Sequence, residues 1–331
     1  MPPQPNHEAP SVTAVVPARN EENAITAALT SILGQDYEGS LDVAVAVAPS
    51  TDRTMEMVTN LAVDTGRITV VENAAGTTPA GLNAAIAAAT GEVIVRCDAH
   101  AELPPGYVTT AVQTLQETGA ANVGGIQSAV GIDPMQRAIA AAMSSPFGVG
   151  DARFHMGGEA GFVDTVYLGV FRLKALEAVG GFDETLIRNQ DYELNYRLRK
   201  AGGGIYFDPS LRVTYRPRST IRGLWKQYLE YGQWKRVVIG RHPGSARWRQ
   251  FVAPAFVVGL GLSGAAAMTG RRALATVIPA AYAIATLSAT ARETARRKDA
   301  AMLLLPAVFP TMHLAWGIGF LDPRQSSSSD T

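Results

Sequence analysis

Gly91-Glu92-Val93-Ile94-Val95-Arg96-Cys97-Asp98-Ala99-His100 is a short apolar run that ends in an acid and an imidazole two residues apart. Val93, Ile94 and Val95 are β-branched, a turn-forming glycine precedes them, and Pro104-Pro105-Gly106 follows soon after, so the run reads as a buried strand. In an open α/β sheet, ligands bind just beyond the carboxyl ends of the strands, where Asp98 and His100 fall. Taken alone, the pair also fits an acid capping the next helix beside a solvated imidazole.

Working outward, Thr13–Val16 is a strand that ends at Pro17-Ala18-Arg19-Asn20, and Ile25, Ala28, Leu29, Ile32 and Leu33 follow at helical spacing. Leu41–Val47 is a second apolar strand, and Pro49-Ser50-Thr51-Asp52 leads from it into a helix that Gly66 stops. Ile68–Val71 is a third strand, and Thr78-Pro79 opens the Ala-rich helix that precedes Gly91. Strands that are apolar on both faces and alternate with helices predict an α/β fold with a mostly parallel sheet covered on both sides. The first loop lacks G-x-G-x-x-G and no G-x-x-x-x-G-K-[ST] occurs, so hydride-transfer and P-loop chemistries lose their main support.

With 331 residues the chain exceeds one typical domain. A formal net charge of zero gives no support to a nucleic-acid partner, and the single Cys97 excludes an intrachain disulfide or a cysteine-rich metal site. Residues 1–10 are proline-rich and polar, which predicts a disordered extension rather than a signal peptide. The serine-rich end, residues 322–331, reads as a disordered tail.

Downstream, Phe162–Gly169, Gly180-Gly181-Phe182-Asp183-Glu184 and Asn189-Gln190-Asp191 complete a series of ordered motifs. Together with Pro17-Ala18-Arg19-Asn20-Glu21-Glu22, Ala80-Gly81-Leu82-Asn83 and Asp98-Ala99-His100, they resemble the family 2 glycosyltransferases, in the branch of succinoglycan-type exopolysaccharide glucosyltransferases. The resemblance runs from about Ser11 to about Pro243 and implies a GT-A type nucleotide-sugar-binding fold. It places Pro17, Ala18, Arg19, Glu21, Asp52, Asn83 and Asp98 at the nucleotide sugar, Asp164, Thr165 and Gln190 at the acceptor and transferred sugar, and Asp191 as the catalytic base. Asp98-Ala99-His100 stands where the family carries Asp-x-Asp, which implies that Asp98 and His100 hold a divalent metal, with His100 the direct ligand.

These residue types suit the chemistry. A nucleoside diphosphate leaves well only when its growing negative charge is neutralised, and a divalent metal does this without proton transfer. Imidazole suits Mn2+ better than Mg2+, which prefers oxygen ligands, so of the two expected cofactors, Mn2+ and Mg2+, the histidine favours Mn2+. A sugar hydroxyl is a weak nucleophile, and a carboxylate must take its proton during attack. Asp191 and Glu193 compete for that role, and two positions along a helix put them on different faces. Two departures from the family pattern stand out. Val47-Ala48-Pro49 occupies the place of an acid that contacts the nucleobase, and Gln190 replaces the glutamate of the family's Glu-Asp pair.

From Arg212 to Arg249 ten Lys or Arg residues face one acid, Glu230, and Trp225, Tyr228, Tyr231 and Trp234 recur every third position. This belt reads as interfacial helices on anionic lipid, because three uncharged runs follow, Phe251–Gly270, Ala273–Ala291 and Ala300–Leu321, each of about twenty residues and long enough to cross a bilayer. Their Ala and Gly content also permits buried helices or a re-entrant pair, leaving two or three membrane helices. The expected organisation is a catalytic domain over 11–215, interfacial helices over 216–249, and a membrane-associated helical region over 250–321. The expected protein is a multi-pass enzyme of the cell membrane with a cytoplasmic catalytic domain. It transfers a hexose, glucose from UDP-glucose, to a polyprenyl-linked saccharide, with membrane lipid as a further partner and no nucleic acid. A polyprenyl-phosphate monosaccharide synthase and a non-catalytic membrane sugar-binding subunit are the alternatives.

Overall fold

The computed structural model describes residues 9–323, so the expected extension up to residue 8 and the tail from residue 324 lie outside the described residues. The chain divides into two compact units, one of residues 9–128 and 157–214, the other of residues 129–156 and 215–323.

The first unit begins with β1 (Val12–Ala18), α1 (Ile25–Leu33), β2 (Leu41–Val47), α2 (Thr54–Thr65), β3 (Ile68–Glu72), α3 (Thr78–Ala87), β4 (Val93–Arg96), α4 (Tyr107–Thr118) and β5 (Asn122–Ala129). The chain then enters the second unit for α5 (Pro134–Met143), α6 (Pro146–Val149) and α7 (Arg153–Met156). It returns for β6 (Gly161–Phe162), β7 (Tyr167–Arg172), α8 (Leu173–Val179), α9 (Gln190–Lys200) and β8 (Ile205–Tyr215). The sheet order is β3-β2-β1-β4-β7-β5-β8-β6. The β3-β2-β1-β4 half is parallel, as the apolar strands predict. Beyond β4 the pairing changes, for β7 runs antiparallel to both β4 and β5, and β6 runs antiparallel to β8.

Register and alternation position the site. Ala18 pairs with Val47 and Val15 with Arg96, so the loops after β1, β2 and β4 leave from the same edge of the sheet. On one face Ala14, Val16, Val45, Val95 and Cys97 pack with α1 and α4 through Leu29, Ile32, Val108 and Val112. On the other, Val15, Ala46 and Ile94 pack with α3, α8 and α9 through Leu82, Leu176, Leu194 and Leu198. Because side chains alternate along a strand, Arg96 shares the face of Ile94 and meets α9.

The second unit adds α10 (Ile221–Arg241), α11 (Arg249–Met268), α12 (Arg272–Arg297) and α13 (Leu305–Leu321). Its core joins Ile139 and Ala142 of α5, Leu224 and Tyr228 of α10, and Leu305, Phe309 and Met312 of α13. The aromatic stripe of α10 is drawn into this packing, with Tyr228 buried and Trp225 against the same core. The cause is the closeness of α10 to α13: a Cβ on Gly232 would stand 2.2 Å from the Trp316 carbonyl oxygen. Arg222, Lys226, Arg236 and Arg241 remain exposed. Segments 249–268, 272–297 and 300–321 form three helices long and apolar enough to cross a membrane. Several large apolar side chains on them, including Leu262, Leu274, Ile284 and Leu287, face outward.

Gly232→Ala should cost about 1–3 kcal/mol, the usual penalty of forcing atoms into filled space, read as a lower thermal midpoint of the full chain in detergent. Gly240→Ala, where a Cβ meets open space, should be neutral or mildly stabilising. Equal midpoints for the two variants would contradict the close helix crossing.

Candidate active site

The loops after β1 and β2 are laced together by short polar side chains. Asn20, held at a positive φ of 53°, accepts from the Thr51 amide at 2.8 Å, while its own amide donates to the Ser50 hydroxyl at 3.1 Å. The Glu21 amide donates to the Thr54 hydroxyl at 2.8 Å. Asp52 accepts from the Thr54 hydroxyl at 2.6 Å, the Thr54 amide at 3.0 Å and the Glu22 amide at 3.1 Å. These bonds, the Thr54 hydroxyl first, hold the Asp52 carboxyl below its usual range. Asp52 thus fastens one loop to the other, beside Pro17, Ala18 and the exposed Arg19 at the end of β1.

At the end of β4, Arg96 is only 6% exposed, and its guanidinium lies between two acids. One terminal nitrogen, Nη2, donates to Asp98 at 3.1 Å, and the other, Nη1, donates to Asp191 Oδ1. Burial works against the positive charge, but Asp191 and then Asp98 outweigh it and raise the guanidinium pKa above its ordinary value. His100, further along the same loop, is exposed and places Nδ1 2.9 Å from the Glu21 carboxylate. Cys97 points to the opposite face, where burial and then the nearby Asp98 push its thiol up, as befits an inert core residue.

Asp191 sits in the first turn of α9, whose Leu194 and Leu198 bind it to the sheet. Glu193, the competing acid, is buried and makes two 2.7 Å contacts with the Arg197 guanidinium. Arg197 in turn donates to the carbonyls of Val179 at 2.6 Å and Gly181 at 2.8 Å, so this pair clamps α9 to the Gly-Gly-Phe-Asp-Glu turn. Asn83 grips the same turn from α3, accepting from the Phe182 amide at 2.8 Å and donating to the Phe182 carbonyl at 2.9 Å and to Glu184 at 2.8 Å. Gly181 has a φ of 69°, and a Cβ there would meet Asn83 Oδ1 at 2.6 Å, so only glycine suits the position.

The Thr165 hydroxyl accepts from Asn195 Nδ2 at 2.9 Å, and Asn195 Oδ1 accepts from Asn122 at 2.7 Å. This buried chain ties α9 to β5 and to the segment before β7. Gln190 is buried at the start of α9, and Asp164 is half-buried next to Thr165.

The structure brings Asp98 and Asp191 together around one guanidinium and joins His100 to Glu21. It gives Asp52, Asn83 and Thr165 well-defined bonds to the protein itself. Sequence reasoning missed Arg96, Arg197 and Asn195. For Arg96 a signal existed, since a lone charge inside an otherwise apolar strand must be paired. Arg197 stands at i+4 from Glu193, a spacing that predicts the clamp.

Among the described residues no group of three or more His, Cys, Asp or Glu stands ready to hold a metal. The donor chemistry nevertheless fits a divalent ion that takes one or two protein ligands and completes its shell on phosphate oxygens. Asp98 would offer a carboxylate with 22% of its side chain exposed, and His100 an imidazole whose Nδ1 lies against a carboxylate, the contact that commonly orients a metal-binding histidine.

The mostly parallel α/β sheet, with Asp98 and Asp191 at its carboxyl edge, has the GT-A type of fold found in glycosyltransferases. The sequence model described as "Glycosyltransferase like family 2" matches residues 9–230, two thirds of the chain, and the protein belongs to that family. The chain is 29% identical to the succinoglycan biosynthesis protein ExoA of Rhizobium meliloti (strain 1021) over 308 residues, 92% of each chain. It is 27% identical over 246 residues to the dolichyl N-acetyl-alpha-D-glucosaminyl phosphate 3-beta-D-2,3-diacetamido-2,3-dideoxy-beta-D-glucuronosyltransferase of Methanococcus voltae, covering 72% of this chain and 76% of that one. Among solved structures, the mannosyltransferase PcManGT of Pyrobaculum calidifontis, in complex with GDP-Man and Mn2+, shares the fold. The TM-score is 0.64 and the identity 21%, over 94% of this chain and 87% of that one.

Asn83→Ala removes three hydrogen bonds between α3 and the turn, and should cost about 1–3 kcal/mol in chemical denaturation. An unchanged denaturation midpoint would show that the turn is held by other means.

Proposed function

We propose that this family 2 glycosyltransferase is an inverting enzyme that transfers a hexose, glucose from UDP-glucose, to a lipid-linked saccharide in cell-envelope or extracellular polysaccharide synthesis. The observation that carries the reading is the gathering of Asp98 and Asp191 around Arg96 at the carboxyl edge of the sheet. This puts a donor-side acid and a base candidate within one side chain of each other.

In this mechanism the acceptor hydroxyl gives its proton to the Asp191 carboxylate as its oxygen forms a bond to the anomeric carbon. The bond from that carbon to the diphosphate oxygen breaks, and the electron pair leaves with the nucleoside diphosphate. Asp98 and His100 would hold a divalent ion, Mn2+ or Mg2+, whose chemistry is to neutralise the charge that builds on the diphosphate. The Glu193–Arg197 clamp favours Asp191 over Glu193 as base, because the buried Glu193 carboxylate is already committed on both oxygens. Pro17, Ala18, Arg19, Glu21 and Asp52 frame the nucleotide sugar, with Asn83 supporting the adjoining turn, and Asp164, Thr165 and Gln190 lie toward the acceptor sugar.

Three helices fit to cross a membrane support a membrane enzyme whose catalytic unit is cytoplasmic, where nucleotide sugars occur and where the exposed cations of α10 match anionic lipid. The division of labour is then a catalytic region over 11–215, lipid-contacting helices over 216–249 and a membrane region over 250–321. The Methanococcus voltae relative is named as a transferase acting on a dolichyl-linked sugar phosphate, which favours a lipid-linked saccharide over a bare lipid phosphate as acceptor.

Membranes containing the protein, given labelled nucleotide sugars and a lipid extract, should release nucleoside diphosphate and label a lipid-linked product. Asp191→Asn should lower turnover by about 100-fold or more, the lower end of a general base's contribution, with nucleotide binding kept. Retained turnover would move the base elsewhere. Excess chelator should stop the reaction and added Mn2+ restore it, whereas full activity in chelator would remove the metal role of Asp98 and His100.

A further inference from the structure

Arg96 is the buried cation that touches both acids of the site, and its Nε finds no hydrogen-bond partner among the described residues. A guanidinium buried for stability alone is expected to have its donors satisfied, since each buried unpaired donor costs free energy and a buried ion pair is weak evidence of net stabilisation. Here the donors that are satisfied are the two aimed at Asp98 and Asp191. The strand places it there: alternation from Ile94 turns Arg96 toward α9, and the register with Val15 sets it one residue inside the edge that carries Asp98.

We propose that Arg96 is a positioning residue for sugar transfer, whose guanidinium fixes the Asp191 carboxylate by one oxygen and ties its orientation to Asp98 on the donor side. The inference rests on the reading of Asp191 as base. Nη1 takes Asp191 Oδ1, so Oδ2 is the oxygen assigned to the acceptor proton. Nη2 takes Asp98 Oδ1, so the donor-side acid and the base are set by one rigid planar group. A carboxylate at the exposed start of a helix has rotamer freedom, and proton transfer tolerates little misplacement. A lysine keeps the positive charge but, with one ammonium on a flexible stem, cannot hold both acids in the same plane.

The experiment compares wild type, Asp191→Asn, Arg96→Lys and Arg96→Gln as full chains in detergent or lipid discs. It measures kcat and donor KM for transfer, nucleoside diphosphate affinity by calorimetry, and thermal midpoint. Arg96→Lys is expected to lose about 100-fold in kcat, the effect of a misplaced catalytic group, with donor KM and nucleotide affinity within about threefold of wild type. Arg96→Gln should lose more of kcat than Arg96→Lys, and partial rescue by the lysine marks the contribution of charge apart from geometry. A wild-type kcat in Arg96→Lys overturns the inference while Asp191→Asn still tests the base. A fall in nucleotide affinity matching the fall in kcat overturns it in favour of a donor-binding role. Full turnover in Asp191→Asn overturns both the base and the positioning role. Should Arg96→Gln fail to fold, the KM and kcat of Arg96→Lys decide alone.

Discussion

A guanidinium buried under the carboxyl edge of a mostly parallel sheet is the constraint around which the first unit is arranged. Taking the charge of Arg96 out of water costs several kcal/mol unless anions meet it, and the acids that do so come from separate parts of the chain. Asp98 arrives two residues later on the same loop. Asp191 arrives only if α9 docks with its first turn over β4, which requires Leu194 and Leu198 to find the apolar face that also holds Ile94. Charge compensation and hydrophobic packing therefore demand the same placement of α9, and each makes the other more specific.

The remaining motif residues serve that placement more visibly than they serve a ligand. Asn83 and Arg197 approach the Gly-Gly-Phe-Asp-Glu turn from different helices and satisfy its backbone groups, so the chain entering α9 is held on two sides. Asn195 extends this to β5 and Thr165 through a buried amide chain. Asp52 does the same for the first loop by closing hydrogen bonds onto the start of α2. Such bonds are worth about 1 kcal/mol each in net stability, yet leaving a buried partner unmet costs more. Their main effect is to remove alternative loop conformations, the property a reactive site needs most.

How much of this is legible in the sequence follows from range. The strands β1, β2 and β4 announce themselves as short β-branched runs because a parallel sheet buries both faces, and their loops mark the carboxyl edge where Asp98 and His100 lie. The antiparallel joining of β7 to β4 carries no such local mark, since it depends on a partner about eighty residues away in sequence, an interval set by this chain and not by any rule of pattern. Arg96 is a charge in an apolar strand, which signals a buried pairing, but nothing local names its partners. One is two residues away and the other 95, and only the folded chain brings both to one guanidinium. Spacing puts Glu193 and Asp191 on different faces of the helix without saying which face meets the cleft. Burial and the Arg197 clamp separate them, and neither property can be read from two acids in a row of eleven helical residues.

The helical unit shows the same lesson in apolar terms. Its long helices are rich in Ala and Gly, a composition that lowers hydropathy and weakens the sequence signal for a membrane span. Small residues also let helix backbones approach closely. Gly232 lies against the Trp316 carbonyl of α13, so the aromatic side chains that a pattern analysis sets on a free interfacial face are partly used in holding α10 to its neighbour. Charge then marks where the apolar stretch of α12 ends. Glu293 is buried but paired with Arg296 at 2.6 Å and Arg297 at 3.0 Å, one turn before the helix stops at Lys298. Ahead of that cluster Leu274, Val277, Ile284 and Leu287 are exposed, a surface that water solvates poorly and hydrocarbon solvates well. An acid neutralised at the helix end and an uncharged outward face along its length are the arrangement that a bilayer selects.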